Sequence, residues 1–231
     1  MQTGRASRTA LRVAQRRAVH QVLDQPCVLT DPIAIPLLGA GLDTYAYRNP
    51  FPQLRVFEVD FPATQEWKRS LLAAAAIAPP ANLTFVPLDF EHMTLAASLA
   101  GRGFDSTMPA FFGWLGVVPY LTLAAFRATL ETIAALPAGT AVSFDYAVSP
   151  HALSVLHRMT FRALARRVAK AGEPFQLLFT PEQLDAEFVR AGLNRSEQLG
   201  GAELNDLYFA HRSDGLKLPT PGLGRLATAW V

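Results

Sequence analysis

Hydrophobic and polar positions along the 231-residue chain alternate between a helical and a strand period. From Ser7 to Leu23 the apolar Leu11, Ala14, Ala18 and Val22 fall three or four apart, the spacing of one helix face. Ser7 can cap that helix and Pro26 ends it. A short apolar stretch, IAIPLL, then runs into the glycine-containing sequence GAG. LRVFEVD (Leu54 to Asp60) is β-branched and aromatic, which predicts a strand ending on acids. ATQEWKRSLLAAAAIA predicts a helix between Pro62 and the closing Pro79-Pro80. LTFVPLDF predicts a third strand ending on Asp89, followed by a short polar helix.

The apolar run FDSTMPAFFGWLGVVPYLT reads as a buried strand and its exit loop. LAAFRATLETIAAL is a helix broken by Pro137-Ala138-Gly139, and TAVSFDYAV is another buried strand. An arginine-rich helix comes next. TPEQLDAEFVRAG is a further helix, with Thr180 as cap, Pro181 in the first turn and Gly192 at the stop. RLATAWV closes the chain as a last strand. Strands alternating with helices at this spacing predict a doubly wound α/β sheet. No repeat, low-complexity tract or linker interrupts it, so one domain over residues 1–231 is expected.

Composition narrows the function classes. At 50% hydrophobic and 17% charged the chain is no disordered segment. The longest unbroken apolar run, Leu71 to Ala78, is too short to span a bilayer, and no signal peptide opens the sequence; a cytoplasmic protein without a membrane partner is expected. The single cysteine, Cys27, rules out an internal disulfide and argues against a thiolate metal cluster. Net charge is +2, but Arg5, Arg8, Arg12, Arg16 and Arg17 crowd one stretch and Arg158, Arg162, Arg166, Arg167 and Lys170 another. The second set falls at helical spacing and reads as a wet helix face rather than an anion-binding surface. Neither set is interleaved with aromatic residues, so nucleic acid is not an expected partner. The histidines at 20, 92, 151, 157 and 211 lack metal-ligand spacing, and no metal is expected.

The candidate chemistry lies in the glycine loop LLGAGLDT (Leu37 to Thr44) and the acids after it. Glycines let the backbone turn sharply and a ligand approach. Asp60 lies 19 residues past Gly41, at the end of the next strand, where a carboxylate can accept both hydroxyls of a ribose. Asp89 ends the third strand, where its side chain or a neighbouring amide can meet an adenine. A nicotinamide cofactor would fit the same outline, but Asp43 just after the glycines would repel a pyrophosphate. A ligand carrying a sulfonium and an ammonium suits that charge better, so S-adenosylmethionine is the expected cofactor.

These residues carry a family resemblance. LLGAGLDTYAYR, FEVDFPATQEWKRSLL, FVPLDFE and WLGVVPYLT resemble successive signatures of the leucine carboxyl methyltransferase-like family, and of its bacterial, actinobacterial-type S-adenosylmethionine-dependent branch. SRTALRVAQRRAVHQVLDQPCVLTDPIA and YFAHRSDGLKLP extend the likeness over nearly the whole chain. The resemblance implies a Rossmann-like class I methyltransferase sheet flanked by helices, with residues 1–36 as an N-terminal helical cap and 37–231 as the core with its lid insertions. It implies that Gly39, Ala40 and Gly41 border the methionine part of the cofactor, that Asp60 binds the ribose, and that Asp89 with Phe90 binds the adenine. It places Arg16, with Arg17 equally available, near the basic residue that approaches the cofactor carboxylate.

One departure stands out. Relatives carry a helical segment and a hydrophobic first strand between the DPIA motif and the glycine loop, whereas here Asp31-Pro32-Ile33-Ala34 is followed almost at once by Gly39. The cap is therefore shortened, and Pro36 cannot donate to a central ladder. Either the helix of residues 7–23 serves as both lid and edge, or the pocket is incomplete; the shortening is natural or an artefact of gene assignment.

The expected activity is methyl transfer to a small molecule or carboxylate oxygen. A catalytically impaired relative acting as a binding module is the alternative, and a nicotinamide-dependent oxidoreductase a more distant one. No catalytic base stands out, which favours an acceptor that is already anionic, and no catalytic residue is assigned. Trp114 reads as a stacking or core residue, Tyr120 as a packed aromatic, and Asp145 and Tyr146 as strand-end residues open to a substrate role.

Overall fold

A computed structural model describes residues 44–170 and 174–231. The predicted helix of residues 7–23, the IAIPLL strand and the glycine loop up to Asp43 lie outside the described residues. The described chain divides into two compact units: residues 44–89 with 97–104, and residues 90–96 with 105–231.

The first unit is a β–α–β element preceded by a short helix, α1 (Tyr45–Arg48). Strand β1 (Val56–Asp60) and strand β2 (Leu83–Pro87) pair in parallel, Val56 opposite Leu83 and Asp60 opposite Pro87. Parallel strands need a crossover, here helix α2 (Pro62–Ala74). Pro62 starts α2 with its φ already set. The buried stripe of α2 is Thr64, Gln65, Lys68 and Leu72, at helical spacing. Val86 and Leu88 are buried as β2 ends, and Phe57 meets Phe104 edge to face at 5.3 Å. Helix α2 stops at Ala74, before the prolines expected to close it. Ala76 adopts a left-handed φ of 54°, with the Ala76 amide donating to the Ala73 carbonyl and the Ile77 amide to the Leu72 carbonyl, a Schellman stop with alanine where glycine is usual.

The second unit holds a four-stranded sheet of β3 (Phe111–Trp114), β4 (Ala141–Ala147), β5 (Arg195–Leu199) and β6 (Gly224–Trp230), in the order β3-β4-β6-β5. Strands β3 and β4 are parallel, joined through helix α4 (Leu123–Ala134). The single-turn helix α3 (Leu95–Leu99) precedes them in the chain, its first two residues belonging to this unit and its last three to the first; Leu95, Ser98 and Leu99 are buried. Strand β6 runs antiparallel between β4 and β5. Its Ala227 and Ala229 are fully buried, small residues that let neighbours pack closely. Helix α5 (Val155–Lys170) and helix α6 (Pro181–Ala191) separate β4 from β5, and one turn, α7 (Gly201–Leu204), follows. Phe126, Phe144, Phe179, Phe188 and Trp114 form a continuous aromatic core.

Helix α6 is built as its sequence requires. Thr180 accepts from the Gln183 amide, Gln183 answers onto the Thr180 amide, and Gly192 leaves the helix at φ 85°. The strand expected to be buried in the run 104–122 is short and, among the described residues, the outermost of its sheet, with Phe111 70% exposed. The cations of α5 sit exposed or half-buried, as an amphipathic helix predicts, while Phe161 and Val168 face inward. No helix of the described residues is long and apolar enough to cross a membrane.

Candidate active site

Strand β1 ends on Asp60, and Asp89 follows β2 by two residues. Parallel pairing brings the two acids to the carboxyl edge of one strand pair: the Leu88 amide donates to the Asp60 carbonyl at 2.9 Å. Asp60 is half-buried. Its Oδ1 accepts from the Phe61 amide at 2.7 Å; among the described residues its Oδ2 takes no hydrogen bond. Burial pushes its carboxyl up to about 6, opposed by the Phe61 amide and by Lys68. It is therefore mostly ionised at neutral pH while poorly solvated, as suits an acceptor for hydroxyl donors.

On α2, Lys68 is completely buried and ion-paired to Glu58. Gln65 donates from Nε2 to the Glu58 carbonyl at 2.9 Å. The Lys68 ammonium lies 5.4 Å over the ring of Tyr47, whose hydroxyl is raised by burial and by Glu58. Among the described residues the Tyr47 hydroxyl and the Thr64 hydroxyl are buried without hydrogen-bond partners. Sequence reasoning missed Lys68 and Glu58. The signal was a lysine four residues after Thr64 on the inward stripe of α2, matched by a glutamate two before Asp60.

The remaining predicted residues fall out differently. Gly39, Ala40, Gly41 and Arg16 lie outside the described residues. Phe90 belongs to the second unit and its ring is 5.9 Å from Trp114. Trp114 is core: 7% exposed, stacked on Phe126 at 5.7 Å, its Nε1 buried without a partner. Tyr120 packs on Phe175 at 5.7 Å. Asp145 receives the Gly116 amide at 2.5 Å, and Gly116 holds φ 73°; the aspartate thereby ties down the loop leaving β3. Burial raises its carboxyl, partly offset by that bond. Tyr146 is buried, donates to Gln198 at 2.5 Å and is pushed up to about 12 by burial; Gln198 in turn donates to Asp185 and the Pro181 carbonyl. That network ties β4 to β5 and α6. Among the described residues no group of His, Cys, Asp or Glu could hold a metal ion.

Residues 35–134 match the sequence profile of the family described as leucine carboxyl methyltransferase. A Bacillus subtilis protein, YktD, assigned to the S-adenosyl-L-methionine-dependent methyltransferases, is 34% identical over 183 residues, covering 78% of this chain and 60% of that protein. A Mycolicibacterium vanbaalenii protein with the same assignment is 40% identical over 103 residues, 44% of this chain and 33% of its own length. The chain thus spans 60% or less of these relatives. Among solved structures, one from Thermobifida fusca assigned to the methyltransferases gives a TM-score of 0.54 at 21% identity, covering 83% of this chain and 70% of that one. A DUF574 family protein from Streptomyces avermitilis gives 0.52 at 16% identity, covering 96% and 82%. At these identities the structures speak for a shared fold alone.

Proposed function

We propose that the chain, whose residues 35–134 match the leucine carboxyl methyltransferase family, is a member of that family that binds S-adenosylmethionine and transfers its methyl group to the oxygen of a small molecule or carboxylate. The observation that carries the reading is Asp60: an ionisable, half-buried carboxylate fixed at a strand end, with Oδ2 taking no bond from the described residues. Two ribose hydroxyls supply the donors such a group lacks.

When bound, the cofactor supplies a methyl group on a sulfonium whose departure leaves a neutral thioether. The chain's own residues then bind and orient. Asp60 accepts the ribose hydroxyls, Asp89 with Phe90 takes the adenine, and Gly39 to Gly41 border the methionine part, with Arg16 toward its carboxylate. Positioning the acceptor in line and excluding water supply most of the acceleration. A carboxylate acceptor arrives ionised and needs no base. We take both units as parts of one methyltransferase domain, 1–231, with 1–36 as its cap.

The abrupt step from Ala34 to Gly39 favours a second reading, a catalytically impaired relative that keeps the methyltransferase fold and acts as a binding module. Calorimetric titration with S-adenosylmethionine and S-adenosylhomocysteine tests the first. Micromolar binding that disappears in Asp60→Ala supports it; a folded protein giving no heat with either compound refutes it. Binding without methyl transfer to any carboxylate or hydroxyl acceptor in a broad panel would select the second reading.

A further inference from the structure

Helix α5 holds five cations, Arg158, Arg162, Arg166, Arg167 and Lys170, and no acidic residue. Its inner side is anchored: Phe161 and Val168 are buried, and Phe161 stacks on Phe175 at 5.9 Å. Its outer side is more than a wet face. Val155, Leu156 and Met159 stand 67%, 71% and 64% exposed in the first two turns. Val155, Met159, Arg162, Arg166 and Lys170 follow one another at steps of three and four residues, which makes one stripe along the helix, and all five are exposed. Leu156 and Arg167 flank that stripe and are exposed as well. Apolar and cationic side chains therefore share one outward face, apolar in the first turns and cationic beyond, along about 24 Å of helix at 1.5 Å per residue.

We propose that this outer face of α5 is a docking surface for an anionic lipid bilayer: Val155, Leu156 and Met159 enter the boundary of the hydrocarbon, and Arg162, Arg166, Arg167 and Lys170 meet the headgroups. A bilayer sets negative charge directly above hydrocarbon, so both kinds of side chain are satisfied at once. The arginine stems lie along apolar surface while their heads stay in the polar layer. Attachment of this kind needs no spanning helix, and no helix of the described residues is long and apolar enough to be one. It departs from the sequence expectation of no membrane partner, because the exposure of three apolar residues beside the cations is visible only in the fold. Other occupants fit the pattern less well. Pairing α5 with a second copy sets cations against cations when parallel, and against apolar turns when antiparallel. A protein that receives a basic amphipathic helix in a groove takes its apolar side, which here Phe161 and Val168 commit to the core. Three exposed apolar side chains are also too few to centre a stable protein interface, which buries roughly 800 Å² on each side. Bilayer docking is independent of the methyl-donor reading.

Co-sedimentation of the full chain with phosphatidylcholine vesicles, with and without phosphatidylglycerol, tests the proposal. The chain should bind the mixed vesicles and not the pure phosphatidylcholine ones, and should be released as salt rises. Arg166→Gln combined with Arg167→Gln should weaken binding roughly thirtyfold, and Leu156→Ser combined with Met159→Ser roughly tenfold or more. Lys217→Gln, at an exposed cation outside α5, should leave binding unchanged. Every replaced side chain is exposed, so the variants should keep the wild-type circular dichroism; if the apolar pair does not fold, Leu156→Ser alone takes its place. No binding to the phosphatidylglycerol vesicles overturns the proposal. Binding lost with the arginines but kept with the apolar pair also overturns it, since that describes a surface for any polyanion, an acidic protein or a nucleic acid included. A dimer by light scattering that dissociates in the apolar pair, without vesicle binding in the wild type, gives the face to a second copy and overturns the bilayer.

Discussion

Replacing Asp60 by asparagine separates what the fold wants from what a ligand wants. Asparagine has the same shape, and its Oδ1 can still accept the Phe61 amide that Oδ1 of Asp60 accepts at 2.7 Å. What disappears is a charge that burial disfavours. The carboxyl is pushed from 3.8 to about 6 in the fold, so the folded state holds its proton more tightly than the unfolded chain does. Between those values the folded state carries more protons, and stability falls as pH rises; above 6 the penalty is complete and constant. At about 1.4 kcal/mol per pH unit the full penalty is about 3 kcal/mol, and solvent still reaching the group trims it to about 1–3 kcal/mol. Asp60→Asn should therefore be more stable than wild type at pH 8, and that advantage should fade as pH falls below 5. For a chain of this size the difference is roughly 3–10 °C in Tm. Urea unfolding followed by tryptophan fluorescence at pH 4.5, 6 and 8 measures it. An advantage equal at all three values, or no advantage at pH 8, would refute the reasoning. The same variant should lose S-adenosylhomocysteine binding by roughly a hundredfold or more, since two charge-assisted hydroxyl bonds of about 1.5–3 kcal/mol each are weakened.

Other substitutions probe the fold around the site. Ala76→Gly, at a left-handed φ of 54°, should stabilise by about 1 kcal/mol in equilibrium unfolding. Phe126→Ala removes a fully buried ring that touches Trp114, Phe144 and Phe179, and should cost about 3–5 kcal/mol by urea denaturation. Tyr146→Phe takes the donor from Gln198 and should cost about 1–2 kcal/mol while leaving cofactor affinity unchanged by calorimetry. Thr180→Ala removes the capping box of α6 and should lower stability by about 1 kcal/mol in a thermal melt.

Legibility in the sequence followed locality. Helix α6 could be read to the residue because its start and stop are written in adjacent positions: Thr180, Pro181 and Gln183 at one end, Gly192 at the other. Strand β1 and its terminal Asp60 were equally plain, since VFEVD carries its own alternation. The stop of α2 was not. Alanines 73 to 76 all favour helix, and the bond from the Ile77 amide to the Leu72 carbonyl that ends it is indifferent to side-chain type. Strand β5, RSEQL, is mostly exposed and polar, so only its pairing with β6 makes it a strand. The exposure of Phe111 on β3 likewise depends on how the sheet is assembled, which hydrophobicity does not encode: the residue reads as core and stands exposed. Lys68 and Glu58 escaped for the same reason, each being unremarkable until β1 and α2 are packed together.

The two raised carboxylates show how structure sorts residues that sequence treats alike. Asp60 and Asp145 both lie in strands and both are raised chiefly by burial. Asp145 spends an oxygen on the Gly116 amide, 29 residues away in the chain, and so closes a loop that would otherwise be held by little. Its burial is explained by the fold. Among the described residues Asp60 bonds only the amide of the next residue, which closes nothing, yet its strand also carries Glu58, the partner of a fully buried lysine. A chain selected for stability alone would replace all three charges with apolar residues of similar volume at little loss or some gain. Keeping them where two parallel strands end is consistent with a destabilising charge retained for a ligand, and it favours Asp60 over Asp145 for the proposed ribose role.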